Sequence, residues 1–487
     1  MGIIAIDLGT TNIKVASYTD EAKPIQLFSE KVIYQSENNM VTFDPEQYFD
    51  IICRLIKQCC LASSPEINCG CLQIVLTGQA ESLVLLGADD RPLMPGISWL
   101  DSRSLMQCEE LEKQFPSTIS YPITGQPKII PTWPITKLLW LRQNESALFD
   151  KIHRILLLKD YIIFRLTGEA VGEYSIYPFS HYFDLTRKTY WDDILSYVGI
   201  RGSQLPTLVE PCSIAGNILP SVSQKLSIPS ETLVNVGTLD HFAGMIGTGN
   251  IRQGSINESA GTVSSIATFA KDIPSADAGI PFYCGPFKNS YIYLPVCESG
   301  GISLDWFKDN VLGGLSYHDL ARGIETCSLE DLPVFLPYIT GINPPDYHPG
   351  TSGVFYGLHV NHNRFHMAAA VMTGVACLLK KNIFYFEANH ISVNQIISTG
   401  GGTRSSFWCQ LKADITGKPL VVPDNTEACC LGSAMIASVN KGIYANFENA
   451  ARSCVSIKSV YTPADNHLCQ DIYSKFTHVY DSLFPVN

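Results

Sequence analysis

The chain has 487 residues, 46% of them apolar and 16% charged. At roughly 100–200 residues per domain this is enough for two or more domains with real cores, and the composition excludes a disordered or fibrous protein. Its 34 Lys and Arg against 46 Asp and Glu leave a formal charge of −12, with no basic tract of five or more residues, so the electrostatic footprint of a nucleic-acid binder is missing. An anionic phosphate ligand would have to be met locally, mostly by backbone.

Met1-Gly2-Ile3-Ile4-Ala5-Ile6-Asp7 has no basic region ahead of its apolar run, which stops at Asp7, so it reads as a buried first strand and not as a signal peptide. Gly2 would suit myristoylation, but Ile6 stands where that motif has Ser or Thr. No stretch reaches the ~18 apolar residues that span a bilayer. The sixteen cysteines, among them Cys59-Cys60, Cys69-x-Cys71 and Cys429-Cys430, form neither a disulfide framework nor a C-x-x-C zinc pair, and read as reduced, buried thiols of a cytoplasmic protein.

Along the chain, β-rich runs alternate with longer amphipathic ones, the pattern of an α/β fold. Strands are predicted at residues 3–6, 74–76, 233–236, 264–267 and 396–398. Asp44-Pro45-Glu46-Gln47 supplies an N-cap acid, a proline at N1 and a Gln at N3, and Tyr48, Ile51, Ile52, Leu55, Ile56 and Cys59 follow at helical spacing. A second helix is predicted over about 366–386, and a third begins at Phe407 and ends at Gly417 and Pro419. Residues 237–254 hold five of the 36 glycines and are the expected interdomain hinge. A strand, a Gly-Thr turn and a second strand occur twice, at Gly9-Thr10 and at Gly261-Thr262, which suggests a duplicated fold.

Asp7-x-Gly9-Thr10-Thr11 is followed by Ile13, Val15 and Ser17-Tyr18, whose alternation makes the turn the tip of a hairpin. That separates it from the strand–turn–helix phosphate loops, and no G-x-x-x-x-G-K-[ST] occurs. Such a tip offers backbone N–H groups and two hydroxyls to a phosphate, Lys14 adds a charge, and Asp7 is a carboxylate suited to Mg²⁺ with its retained waters. The plainer reading is an ordinary turn with Asp7 capping its own backbone; the second Gly-Thr turn weighs against it, since two opposed hairpins would clamp one nucleotide.

Gly400-Gly401-Gly402 lies between a strand and a helix opening near Ser405, and either admits a purine or ribose or is a plain connection. Asp240, ahead of Phe242-Ala243-Gly244, either caps a helix or faces a cleft and accepts a proton from a hydroxyl nucleophile. His359, His362 and His366 have a spacing that a transition metal would accept, but Asn361, Asn363 and Arg364 interleave them, and they read as solvated loop histidines. His241, beside Asp240, reads as a packing histidine or one that supports the site from behind, and not as a base.

With these motifs in this order, the chain resembles the FGGY family of carbohydrate kinases, within the actin/Hsp70/hexokinase-like superfamily. The resemblance runs from Ile3 to about Gly442. It includes the hairpin at Asp7, Thr77-Gly78-Gln79, Pro95 to Arg103, Lys137-Leu138-Leu139-Trp140-Leu141, Leu158-Lys159-Asp160-Tyr161 and Arg165 to Glu169. It continues through Gly237 to Asp240, Gly261-Thr262, Leu336-Pro337-Tyr338, Gly353 to Leu358, Gly400-Gly401-Gly402 and Glu427 to Ala434. The implied fold is two ribonuclease H-like α/β domains, 1–245 and 246–487, with a catalytic cleft between them.

The resemblance further implies that Asp7 helps hold Mg²⁺, that Gly9, Thr10, Thr11 and Lys14 approach the phosphates of ATP, and that Gly261, Thr262, Gly301, Gly401 and Ser405 line the nucleotide site. Asp240 falls on the catalytic base, and Gln79 and Glu81 on the sugar-binding segment. There are departures: Thr132 and Thr373 stand where the two family signatures have other residues, Val263 follows the second Gly-Thr turn, and Ile342-Asn343-Pro344-Pro345 follows Gly341. Glu81 follows Ala80 where related kinases pair it with an Arg, so a neutral ketose or polyol is expected over a sugar acid unless a cation such as Lys159 compensates.

The expected activity is ATP-dependent phosphorylation of a sugar, sugar acid or polyol. A nucleotide-switched or sugar-binding non-catalytic protein of the same superfamily is the alternative. The expected partner is the small-molecule sugar or polyol, with neither nucleic acid nor membrane, and a homodimer is a compatible assembly.

Overall fold

The computed structural model describes residues 2–63, 72–260, 264–274, 279–297, 300–339, 341, 351–425, 427–464 and 467–484. The chain forms two compact units. The first comprises Met1–Ile251, Phe282–Tyr291 and Glu427–Val455, and the second Arg252–Pro281, Ile292–Thr426 and Ser456–Asn487.

The first unit is built on a six-stranded sheet ordered Ile214–Asn217, Leu233–Leu239, Gln73–Gly78, Ile3–Leu8, Asn12–Tyr18, Pro24–Lys31. Ile3–Leu8 is parallel to Gln73–Gly78, which is parallel to Leu233–Leu239, and the outer pairings are antiparallel. Strands inside such a sheet are covered on both faces and so read as continuous apolar runs. Ile4, Ile6 and Leu8 join one core with Ile51, Ile52 and Leu55 of helix Pro45–Ala62. Ile3 and Ala5 face the opposite way and join Leu431, Ala434 and Met435 of helix Ala428–Asn440. Helix Pro45–Ala62 starts where the sequence indicates, with Asp44 accepting from the Glu46 and Gln47 amides.

The second unit repeats the scheme. Ser264–Ala270 pairs antiparallel with Gly254–Ala260, which runs parallel to Val393–Thr399, then parallel to Leu420–Pro423, then antiparallel to Ile457–Tyr461. All five predicted strands are present, and the same order and sense of strands in each unit is the duplication that the two Gly-Thr turns suggest. Helix Arg364–Ala388 fills the predicted long helical segment, with Asn363 capping it. Among the described residues it is the one helix of sufficient length and hydropathy to cross a membrane, and 72% of its most apolar stretch is buried inside the protein, the mark of a core helix. Thr373 inside it donates to Ala369 O at 2.8 Å, so the hydroxyl at that departure from the family pattern is satisfied within the helix.

The boundary between the two units, Ile251/Arg252, falls inside the glycine-rich stretch 237–254, and two of its glycines also serve close packing. A Cβ on Gly237 would lie 1.8 Å from Leu76 O, and one on Gly247 would lie 1.9 Å from Ala428 O. Gly432 meets Ala243 O in the same way, at 1.9 Å. These positions sit inside a strand and two helices of the first unit, where the missing side chain lets backbones touch.

Two of the three loop histidines bond within the loop, and His359 is exposed. His362 Nδ1 accepts from the His359 amide at 3.1 Å and its Nε2 lies 3.2 Å from Asp331, while His366 Nδ1 takes the Asn363 amide at 3.3 Å in the helix cap. Among the described residues no group of three or more His, Cys, Asp and Glu is arranged to hold a metal ion.

Candidate active site

In the first unit the hairpin sets Asp7 opposite Lys14 and Leu8 opposite Ile13, leaving Gly9, Thr10 and Thr11 as the tip. Gly9 is needed there, since a Cβ would lie 2.7 Å from Asn12 O. The Asp7 carboxylate is buried, and its Oδ1 has no hydrogen-bond partner among the described residues. Burial first, then the charge of Asp240, pushes the Asp7 carboxyl up to about 7, with Lys14 opposing. Lys14 is ion-paired: its Nζ lies 2.6 Å from Glu427, the residue before helix Ala428–Asn440. Thr10 Oγ1 accepts from the indole N–H of Trp99 at 3.0 Å, and Thr11 is exposed.

The segment after strand Gln73–Gly78 braces this tip. Gln79 donates its amide to Leu8 O at 3.1 Å. Its side-chain Nε2 is shared among Gly9 O, Tyr34 and Tyr48 at 3.3 to 3.5 Å, and its Oε1 accepts from Ser82 Oγ at 2.9 Å. Gln79, expected to bind substrate, therefore spends its polar atoms inside the protein. Glu81 has φ +70°, and the Ser82 amide donates to Ala80 O at 2.8 Å, closing a three-residue turn around Glu81. That left-handed turn is strained for a residue with a Cβ and is stored where surrounding contacts impose it. Here Ser82 Oγ, which also accepts from the Trp99 amide at 3.1 Å, supplies such a contact.

Glu81 is buried with a lysine. Lys137 is wholly inside, and its Nζ donates to Ser98 O at 2.9 Å and Thr132 O at 2.8 Å. Burial raises the Glu81 carboxyl and the Lys137 charge pulls it back; burial lowers the Lys137 ammonium and Glu81, then Asp101, holds it up. Asp240 adds to the upward push on Glu81. Thr132, another departure from the family pattern, thus lends its carbonyl to this lysine. Lys159, the expected compensating cation, is spent elsewhere: it is fully buried 2.6 Å from Glu173.

Asp240 is the first residue of helix Asp240–Gly247, whose N-cap is Leu239. Its Oδ1 accepts from the His241 amide at 2.6 Å, so it does not cap the helix in the usual way, and it is partly exposed where Asp7 and Glu81 are buried. The Asp240 charge acts on both of those carboxylates, pushing each up. Asp240 is thus the charge that Asp7 and Glu81 have in common, with Lys14 and Glu427 acting on Asp7 and Lys137 on Glu81.

In the second unit Gly301, Gly401 and Ser405 line a cavity of about 650 Å³, walled by Leu304, Leu320, Met372 and Trp408 with Arg404 at its side. A Cβ on Gly401 would touch nothing within 4 Å, so the glycine leaves open space, and Ser405 caps helix Ser406–Thr416 by accepting the Trp408 amide. The size and apolar lining suit a nucleoside-sized ligand. Gly261 and Thr262 lie outside the described residues.

Sequence reasoning assigned no part to Lys137, Trp99 or Glu427. Each stands inside a motif of the family pattern, and a lone lysine among the apolar residues of Lys137-Leu138-Leu139-Trp140-Leu141 is the kind of charge that needs a buried partner.

Residues 2–247 match the N-terminal domain, and residues 259–440 the C-terminal domain, of the FGGY family of carbohydrate kinases. The xylulose kinase of Bacillus subtilis strain 168 is 29% identical over 98% of this chain and 97% of its own, and the gluconokinase of the same organism is 26% identical over 95% and 92%. The crystal structure of ligand-bound xylulose kinase from Lactobacillus acidophilus superimposes with a TM-score of 0.91 at 25% identity, over 99% of this chain and 98% of that one. With both family domains matched, in order, over most of its length, the chain belongs to the FGGY family of carbohydrate kinases.

Proposed function

We propose that this carbohydrate kinase passes the γ-phosphoryl group of ATP to a hydroxyl of a neutral ketose or polyol, with Asp240 as the base. The observation that carries the reading is Asp240 itself: a partly exposed carboxylate at a helix start, whose charge acts on Asp7 and Glu81. Asp240 orients the substrate hydroxyl and takes its proton as the oxygen attacks phosphorus, and Glu81 accepts or donates hydrogen bonds to the other hydroxyls. Backbone N–H groups of Gly9, Thr10 and Thr11 receive phosphate oxygens. The cavity of the second unit takes adenosine.

Asp7 fits a divalent cation. Its Oδ1 is buried without a partner among the described residues, and the carboxylates of Asp240 and Glu427 act on it against the single cation of Lys14. Mg²⁺ keeps several waters and binds through one or two carboxylates plus phosphate, so it needs no cage of three side chains. Bound there with ATP, it would neutralise charge on the transferred group.

The preference for a neutral substrate follows from charge. Lys14 is engaged by Glu427, and Lys137 by two carbonyls beside Glu81. A sugar carboxylate would meet Glu81 and Asp240 with both of these lysines already occupied. Since the relatives include xylulose kinases, xylulose is the first ketose to test. The thirteen free cysteines among the described residues suit a reducing compartment, which with ATP supports a cytoplasmic place.

A coupled ADP-release screen over ketoses, polyols and sugar acids, with Asp240→Asn as the blank, tests the reading. A neutral ketose should give the fastest ADP release and Asp240→Asn should abolish most of it. Near-normal turnover by that variant removes Asp240 from the role, and gluconate as the best substrate removes the neutral preference.

A further inference from the structure

Asp240 takes its direction from the strand before it, and that strand is irregular. Its parallel pairing with Gln73–Gly78 shifts register between Asn235 and Thr238, where Gly237 takes φ +59°. A bulge re-aims the residues after it and takes backbone groups out of the ladder, so they need other partners. Gly237 O accepts from the Cys212 amide at 2.7 Å, and several of the other partners are side chains. Asn235 Oδ1 accepts from the Gly237 amide at 2.7 Å, and Thr77 Oγ1 donates to Thr238 O at 2.9 Å. Ser175 Oγ accepts from the Leu239 amide at 3.3 Å and shares a 2.7 Å hydrogen bond with Thr238 Oγ1.

Ser175 is itself fixed from behind. Its amide donates to Glu173 Oε2 at 2.6 Å, and Glu173 Oε1 lies 2.6 Å from Lys159 Nζ. Lys159, Glu173, Ser175 and Thr238 are all at 0% exposure. Apolar side chains of similar volume hold a core at least as firmly as a buried ion pair, so such a pair is weak as a device for stability alone. This one leads, through matched groups, to the two residues ahead of Asp240.

We infer that Ser175 is a positioning residue for Asp240: its hydroxyl holds Thr238 and Leu239 in place and so sets the direction in which the Asp240 carboxylate leaves the strand. The inference rests on Asp240 being the base of the proposed reaction. Ser175 touches neither substrate nor nucleotide in this scheme; it acts through geometry, where a displacement of about 1 Å costs on the order of 10²-fold.

The test is a double-mutant cycle read in kcat and KM on the best substrate of the screen. Ser175→Ala should lower kcat at least about tenfold with the KM for ATP within about twofold, and in an Asp240→Asn background it should change the residual kcat less than about twofold. An equal factor in both backgrounds means general damage and overturns the inference, as does an unchanged kcat in the native background. Near-normal turnover by Asp240→Asn alone is a different result, which removes the base assignment and this inference with it. Should Ser175→Ala not fold, Thr238→Val deletes the other hydroxyl of the pair at nearly constant volume and enters the same cycle. If neither variant folds, the network serves folding and not aim, and the inference fails.

Discussion

Lys14 Nζ and a carboxylate oxygen of Glu427 stand 2.6 Å apart across 413 residues of sequence, joining the Gly9-Thr10-Thr11 hairpin to the start of helix Ala428–Asn440. The pair holds a cation beside Asp7 while tempering it, because Glu427 also raises the Asp7 carboxyl. Glu427→Gln should release Lys14 and thin the negative charge around Asp7. The Mg²⁺ concentration giving half-maximal activity at fixed ATP should rise severalfold. A Mg²⁺ titration that overlays the wild-type curve would show that Glu427 has no part in the metal's field.

Glu81 and Lys137 are both buried, and the charge of each favours the charged form of the other. Glu81→Gln weakens charge-assisted hydrogen bonds of about 1.5–3 kcal/mol each, so kcat/KM for the sugar should fall at least about tenfold while the KM for ATP holds. Lys137→Met leaves the Ser98 and Thr132 carbonyls without their donor and removes the cation whose field acts on Glu81, and should cost about 1–3 kcal/mol for each orphaned carbonyl. The double variant Glu81→Gln with Lys137→Met should recover part of that loss in urea unfolding. No recovery would mean that the two groups do not compensate each other.

Gly247 and Gly432 let helices Asp240–Gly247 and Ala428–Asn440 touch, backbone against backbone. Gly432→Ala places a Cβ 1.9 Å from Ala243 O, a contact that no rotamer relieves. The helices must part, taking Asp240 and Glu427 with them. The expected loss is about 3 kcal/mol or more, read as reduced soluble yield and a lower unfolding midpoint. Wild-type stability in this variant would contradict the close crossing.

His181 is fully buried at φ +63°, its ring 6.3 Å from that of Trp133 and nearly parallel to it, and neither ring nitrogen has a hydrogen-bond partner among the described residues. Burial pulls its pKa down to about 3. The unfolded chain then binds a proton that the folded one refuses between about pH 6.5 and 3, so stability should fall as pH falls through that window, by about 1.4 kcal/mol per unit from this group. His181→Asn, which tolerates the left-handed backbone and does not titrate, should flatten the dependence of unfolding free energy on pH between 5 and 6.5. Parallel slopes for the two proteins would exclude His181 as the source.

What could be read along the sequence was whatever depends on near neighbours. The alternation of Ile13, Val15 and Ser17 marks a second strand and therefore a hairpin tip, and Asp44-Pro45 marks a helix start; both result from local sterics and capping. Asp240 stands at a helix start next to a strand end, as its flanking residues indicate. The pairings were not legible, because Lys14 with Glu427, or Lys137 with Glu81, depends on how distant segments pack. The same limit misplaced Lys159, a cation that looks free until Glu173 is found against it. Glycine density between residues 237 and 254 marks the stretch where one unit gives way to the other, but the backbone contacts that Gly237 and Gly247 permit depend on distant segments and were not legible. That Gln79 hydrogen-bonds with Gly9, Tyr34, Tyr48 and Ser82 was equally out of reach, since those partners come from other segments.

The hairpin tip is gripped by the segment that carries Glu81: Gln79 reaches Gly9, and Trp99 reaches Thr10. With residues 79 to 99 binding the sugar and the tip the phosphates, as proposed, selection for a new sugar would also disturb the tip. Changes of substrate in a lineage with this architecture should arrive as compensated sets and not as single replacements, with Gln79 and Trp99 held back while Ala80 and Glu81 vary. Libraries built to redirect this enzyme would do best to spare those two anchors.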